Sequence, residues 1–315
     1  MTPCYNEEAN VEEIYSQVKA EFDKLSDKYE YEHLFIDNCS TDNTREMLRK
    51  LAQKDKNVKC IFNAANFGAI RSPYYALCQS TGDAVIYIVA DLQEPPQLIP
   101  EMLKKWEEGH PIVACVNVKR KENFLLFRAR KIFYRLLKKM SETRQIENFN
   151  GFGLYDQSFI KILRSIKDPY PYLRGLVSEF GTNIATISFE KPERKRGKSS
   201  YNFYRLYDFA MVGFVNYSKV PLRMACFVGF AVGAISLIVA LVYFIYKLLF
   251  WDSFQLGSAP LVVGLFFIAA VQLFFLGIVG EYVGSILTQV KDRPLVIEEE
   301  RINFEINEES NTKEQ

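Results

Sequence analysis

The chain has 315 residues, 49% of them hydrophobic, and a formal net charge of +1. Near-neutral charge excludes a global field for nucleic acid, so no nucleic-acid partner is expected. Histidine occurs only at His33 and His110, which excludes a histidine-rich metal centre and leaves oxygen ligands, suited to Mg2+ or Mn2+.

Apolar, β-branched runs stand at His33–Asp37, Val58–Phe62, Ala84–Val89 and Ile112–Val118. Amphipathic stretches Glu7–Leu25, Thr41–Gln53, Ser72–Ser80 and Pro96–Glu108 alternate with them. Strands alternating with helices of this length predict an α/β domain with a mainly parallel sheet covered on both faces. Ser40-Thr41-Asp42 carries the side chains of a helix N-cap, and Thr81-Gly82-Asp83 closes a helix before a strand. Cysteines 4, 39, 60, 78, 115 and 226 form no CxxC pair, as expected of free thiols in a reducing compartment.

Residues 123–140 read as a basic amphipathic helix, which either lies on an anionic membrane surface or covers the sheet. Residues 201–219 put Phe203, Leu206, Tyr207, Ala210, Met211, Phe214 and Tyr217 on one helical face, suited to a membrane interface or to packing on the preceding domain. Two uncharged runs of 22 residues follow, Ala225–Tyr246 and Ala259–Gly280. Each is long enough to cross a hydrocarbon core about 30 Å thick. Lys219, Arg223, Lys291 and Arg293 flank this pair, so the positive-inside rule places both termini in the cytoplasm. Glu281 at the end of the second run is a functional candidate by its depth, or an interface residue. The tail from Glu298, rich in Glu and Asn, is expected to be disordered.

Asp37 and Asp91 each end an expected strand, so both point into the crevice beyond the carboxyl ends of an open sheet. Asp37 can accept from a base N–H or a ribose hydroxyl, or serve a turn. Asp91 and Gln93, oxygen ligands one residue apart, can converge on one cation, although a structural Asp91 is the plainer alternative.

The motifs Pro3-Cys4-Tyr5-Asn6-Glu7, Phe35 to Thr44, and Ala90-Asp91-Leu92-Gln93-Glu94-Pro95-Pro96 resemble those of family-two glycosyltransferases of the GT-A fold. With the run Arg194 to Tyr201 and the two C-terminal spans, the chain is similar to polyprenyl-phosphate glycosyltransferases. That group includes bactoprenol glucosyltransferases and dolichol-phosphate mannose synthases.

The resemblance implies transfer of a hexose from a nucleotide-diphosphate sugar, UDP-glucose or a related UDP-sugar, to polyprenyl (undecaprenyl) phosphate with inversion. It implies Pro3, Tyr5, Glu7 and Asp37 at the nucleotide, and Asp91 with Gln93 on Mg2+ or Mn2+. Arg174, Arg194 and Ser199 are implied at the phosphates and acceptor, and Asp91 with Asp156 in catalysis; Ser200 stands where relatives have a Lys, and Lys198 in the same basic loop can supply that charge. Val89 stands where many relatives have a first carboxylate, and Asn150 to Asp156 where many have a GDFRL-type run. A glycine-rich turn, or close backbone approach to a ligand, are equal readings of Gly151 and Gly153.

The implied organisation is a GT-A domain over 1–200, an interfacial helix over 201–219, a transmembrane hairpin over 220–290 and an acidic tail over 291–315. The implied location is multi-pass in the bacterial cytoplasmic membrane, with the oligomerisation seen among relatives. Relatives have an apolar strand before the first motif and here only Met1-Thr2 precede it, which predicts a start lying upstream. Rival readings are a transferase to another acceptor and a weakly catalytic or non-catalytic membrane scaffold.

Overall fold

The computed structural model describes residues 1–119, 146, 148–191, 220–249, 258–291 and 293–304. In chain order the strands and helices are β1 (Thr2–Cys4), α1 (Val11–Asp23), β2 (His33–Asp37), α2 (Thr44–Lys54), β3 (Val58–Asn63), α3 (Gly68–Gln79), β4 (Ala84–Tyr87), α4 (Ile99–Glu107), β5 (Ile112–Lys119), β6 (Phe149–Asp156), α5 (Gln157–Ser165), α6 (Leu173–Phe180), β7 (Ile184–Glu190), α7 (Val220–Leu249), α8 (Ser258–Val290) and β8 (Glu298–Ile302). They form two compact units, an α/β body carrying the strands and a pair of long helices, α7 and α8.

The α/β body holds two four-stranded sheets, ordered β1-β2-β3-β8 and β4-β6-β5-β7. They meet where the Met1 amino group donates to Ile86 O at 2.8 Å and Ile88 N–H donates to Met1 O at 3.1 Å. Strand alternation sorts the core to two faces. Phe35, Cys60 and Phe62 pack with Val11 and Ile14 of α1, Leu48 of α2 and Met102 of α4. Leu34, Ile36 and Ile61 pack on the other face with Leu77 of α3, Ile160 of α5 and Val177 of α6. Phe35 and Ile36 are both fully buried, each adding about 1.5–3 kcal/mol by area.

The mainly parallel sheet is corrected to a mixed one. β1–β2, β2–β3 and β5–β7 pair parallel, but β6 lies antiparallel to both β4 and β5, and β8 antiparallel to β3. The sequence hides β6 because two glycines interrupt it and glycine has weak strand preference. Gly153 is required by packing: a Cβ there would stand 2.2 Å from Val113 O on β5.

The disordered tail is also corrected for its first residues. Glu298–Ile302 forms β8 at the sheet edge, because cations meet its acidic side chains. Arg45 Nη2 lies 2.8 Å from Glu299 and Arg49 Nη2 lies 2.7 Å from Glu300. Asn303 Nδ2 anchors the end by donating to Ala52 O and Val58 O.

In the helical unit, both apolar runs lie within α7 and α8, which touch each other. Large apolar side chains such as Phe227, Phe230, Leu261 and Val290 are exposed. Phe267–Val290 is long and apolar enough to cross a membrane, by length and composition. The segments 123–140 and 201–219, and the side chain of Glu281, lie outside the described residues.

Candidate active site

The loops after β1 and β2 are laced together. Asn6, in the left-handed region at φ 56°, donates its N–H to Ser40 Oγ at 2.9 Å and accepts from Thr41 N–H at 2.8 Å. Glu7 N–H donates to Thr44 Oγ1 at 2.8 Å, and its Oε2 accepts from Asn10 Nδ2 at 2.6 Å. Asn43 N–H donates to Glu8 Oε2 at 3.0 Å. The expected Ser40–Asp42 cap is thus redirected: Ser40 holds Asn6, while Asp42 Oδ1 accepts from Thr44 N–H at 3.0 Å. Pro3 sits in β1 opposite Ile36, and the Tyr5 side chain stands exposed beside these loops.

Asp37 ends β2 and is fully buried. Its Oδ2 accepts from Ser40 N–H at 3.0 Å and lies 3.6 Å from Arg45 Nε. Its Oδ1 is buried with no hydrogen-bond partner among the described residues. Burial raises the Asp37 carboxyl above its usual range, against the Ser40 hydrogen bonds and the Arg45 charge. Next to it, Asn38 Oδ1 accepts from Phe67 N–H at 2.9 Å and Asn63 Nδ2 at 3.2 Å, fixing the loop after β3.

Asp91 follows β4, which meets β1 through the Met1 hydrogen bonds, and β1 in turn pairs β2, whose last residue is Asp37. Asp91 Oδ1 accepts from Gln93 N–H at 3.1 Å, across Leu92 at φ 57°. A left-handed Leu is strained by about 1–2 kcal/mol, a cost met by over-determination from its neighbours.

Glu94 provides that over-determination; it stands in the motif Ala90 to Pro96, but no spacing there shows that it is buried. It is buried; Oε2 accepts from Val89 N–H at 2.8 Å and Oε1 from Asn150 Nδ2 at 2.6 Å. Burial pushes its carboxyl up to about 7, with the Asp91 charge adding, against the Val89 and Asn150 hydrogen bonds and the Lys191 charge.

The start of β6 comes to this same end of β4. Gly151, at φ +109°, faces Tyr87 and Leu173, and the Tyr155 hydroxyl donates to Gly151 O at 2.5 Å. Arg174, on α6, donates to Phe149 O at 3.4 Å and lies 5.0 Å over the Tyr172 ring. Arg174 therefore belongs with Asn150 and Glu94.

Asp156 does not. β6 runs antiparallel, so Asp156 pairs with Ala84, at the end of β4 away from Asp91. Its carboxylate caps α5 by accepting from Ser158 N–H at 2.8 Å, and it accepts from Trp106 Nε1 at 2.7 Å. Those bonds lower its carboxyl, outweighing the burial that opposes them. The structure thus does not bring Asp156 together with Asp91: strand direction puts it at the opposite end of β4, bonded to Ser158 and Trp106. Arg194, Lys198 and Ser199 lie outside the described residues.

The Asp91 carboxylate and Gln93 amide offer hard oxygen donors of the kind Mg2+ or Mn2+ takes. Both oxygens of Glu94 are engaged elsewhere, and no cluster of three His, Cys, Asp or Glu that could hold a metal occurs among the described residues. Asp91 and Gln93 are therefore the protein oxygens at this turn that could meet a cation.

A family model described as Glycosyl transferase family 2 matches residues 1–167. An uncharacterized glycosyltransferase of Bacillus subtilis (strain 168) is 33% identical over 306 residues, covering 97% of this chain and 94% of that protein. A bactoprenol glucosyl transferase of Shigella phage SfII is 31% identical, covering 94% of this chain and 96% of that protein. A prophage bactoprenol glucosyl transferase homolog of Escherichia coli (strain K12) is 28% identical with the same coverage, 94% and 96%.

Proposed function

This chain belongs to glycosyl transferase family 2, and from that premise we propose that it transfers a hexose from a UDP-sugar, UDP-glucose or a close relative, to polyprenyl phosphate with inversion. The observation that carries the reading is the pair of carboxylates, Asp37 at the end of β2 and Asp91 just beyond β4, among tightly fastened loops. Similarity to bactoprenol glucosyl transferases over nearly the whole chain supports the lipid acceptor.

In this reading Asp37 offers its unpartnered Oδ1 to the base or ribose, with Pro3, Tyr5 and Glu7 shaping the same pocket. Asp91 and Gln93 would hold a divalent cation, which would supply charge neutralisation for the diphosphate leaving group. Arg174, Arg194, Lys198 and Ser199 serve the phosphates and the acceptor. A lipid phosphate is already ionised near neutral pH, so an oxygen of the acceptor can attack the anomeric carbon without a strong protein base. This suits a site without Asp156. The two apolar helices form a membrane hairpin that anchors the chain, with both termini on the cytoplasmic side.

Membranes containing the full chain, given labelled UDP-sugars and undecaprenyl phosphate, test the reading. Label passing to lipid from at least one donor, and lost with Asp91→Asn, supports it. No transfer from any donor in the panel, with the protein folded, sinks it.

A further inference from the structure

Residues 293–304 follow the second long helix in sequence and return to the α/β body. Pro294 O accepts from Arg71, Ile297 O accepts from Ala64 N–H at 2.9 Å, and β8 then pairs along β3. The strand meets α2 through Glu299, whose Oε2 lies 2.8 Å from Arg45 Nη2. Arg45 also lies 5.3 Å over the Phe62 ring and presents its Nε to Asp37 at 3.6 Å. Glu299, far along the sequence, thus joins Arg45 and Asp37 in one chain of charged groups.

Two buried atoms in this chain lack hydrogen-bond partners, Arg45 Nε and Asp37 Oδ1. Buried polar atoms are rarely orphaned, so such a pair marks a place where a ligand or water completes the bonding. A carboxylate as buried as Asp37 needs a fixed cation to remain charged. Arg45 can be that cation only while its long side chain is held in place, and Glu299 holds its far end.

We propose that β8 is a working part of the nucleotide site: Glu299 and Arg45 are positioning residues that orient and neutralise Asp37 so that its free oxygen receives the nucleoside. The inference rests on the nucleotide site proposed above and extends it to a segment more than two hundred residues away in sequence. Neither Glu299 nor Arg45 touches the reacting atoms; both act through Asp37.

The test uses the full chain in detergent or nanodiscs, titrated with UDP, alongside donor KM and kcat. Glu299→Gln raises the UDP Kd about threefold, the scale of an exposed ion pair. Arg45→Met raises it about tenfold or more, because a buried carboxylate loses its cation. Arg45→Lys recovers part of that loss. Donor KM follows Kd while kcat stays near wild type, a split that general destabilisation does not give. Glu298→Gln, which alters contacts with Arg301 and Tyr75 and not the Glu299–Arg45 pair, leaves UDP affinity unchanged. If Asp37→Asn abolishes UDP binding while Glu299→Gln and Arg45→Met, folded by melting temperature, bind like wild type, the inference is overturned and the nucleotide site stands. If the wild-type chain binds no UDP, the nucleotide reading falls first and the inference with it.

Discussion

Glu94 and Asn150 join two segments separated by 56 residues, with Asn150 Nδ2 donating to Glu94 Oε1 at 2.6 Å. The same carboxylate receives Val89 N–H, so one side chain closes the turn bearing Asp91 and ties it to the first residues of β6. Both partners are donors, so the site wants two acceptor oxygens. Glu94→Ala leaves Val89 N–H and the Asn150 amide unpaired, at about 1–3 kcal/mol. We expect a lower melting temperature and at least a tenfold loss of transfer. Glu94→Gln replaces one acceptor with a donor and falls between. Wild-type transfer by Glu94→Ala refutes the clamp.

Asp91→Asn keeps the Oδ1 acceptor for Gln93 N–H and removes the charge. The fold is therefore expected to survive, with melting within about 1 kcal/mol of wild type. Transfer falls to background. Retained transfer means that Asp91 is not the cation ligand.

Asp37→Asn separates function from stability. Burial raises the Asp37 carboxyl above its ordinary range, so the folded state holds the proton more tightly than the unfolded chain. Ionised Asp37 then opposes folding. That penalty is absent below the unfolded value and complete above the raised folded value. Asp37→Asn should thus melt no lower than wild type at pH 7, with any advantage shrinking as pH falls toward 4, while UDP binding is lost. Melting curves across pH check the sign.

Asp156→Ala should retain transfer and lose stability. It removes an N-cap, typically about 1 kcal/mol, and a partner of the Trp106 indole. The folded carboxyl is lowered, so its contribution is present above the unfolded value and lost as pH falls through the folded value. The gap to wild type closes in acid. Loss of transfer without loss of stability would restore Asp156 to the site.

Gly153→Ala and Gly151→Ala should behave differently. A Cβ at Gly153 collides with Val113 O, and backbone cannot swing away as a flexible side chain can. Destabilisation of several kcal/mol, seen as insoluble or poorly folded protein, is expected. At Gly151 a Cβ meets Leu173 and Tyr87 at an ordinary contact distance of 3.7 Å but φ is +109°, so the cost is conformational strain of about 1–3 kcal/mol. Equal melting of the two variants contradicts this division.

Much was legible in one dimension. The strands β2, β3, β4 and β5 and the helices between them follow from apolar residues recurring with fixed period, since a buried face repeats every 2 or 3.6 residues. The positions of Asp37 at a strand end and Asp91 just beyond one follow from the ends of those strands, and the two long helices from uninterrupted apolar runs. Only tertiary structure decided the direction of β6, and with it that Asp156 lies at the far edge while Asn150 lies at the near one. It alone showed Glu94 buried as a clamp, and the acidic Glu298–Ile302 drawn into a sheet by Arg45 and Arg49. Periodicity reports which face of a segment is buried. Partner, direction and counter-charge are set by residues far away in the chain, and no local pattern encodes them.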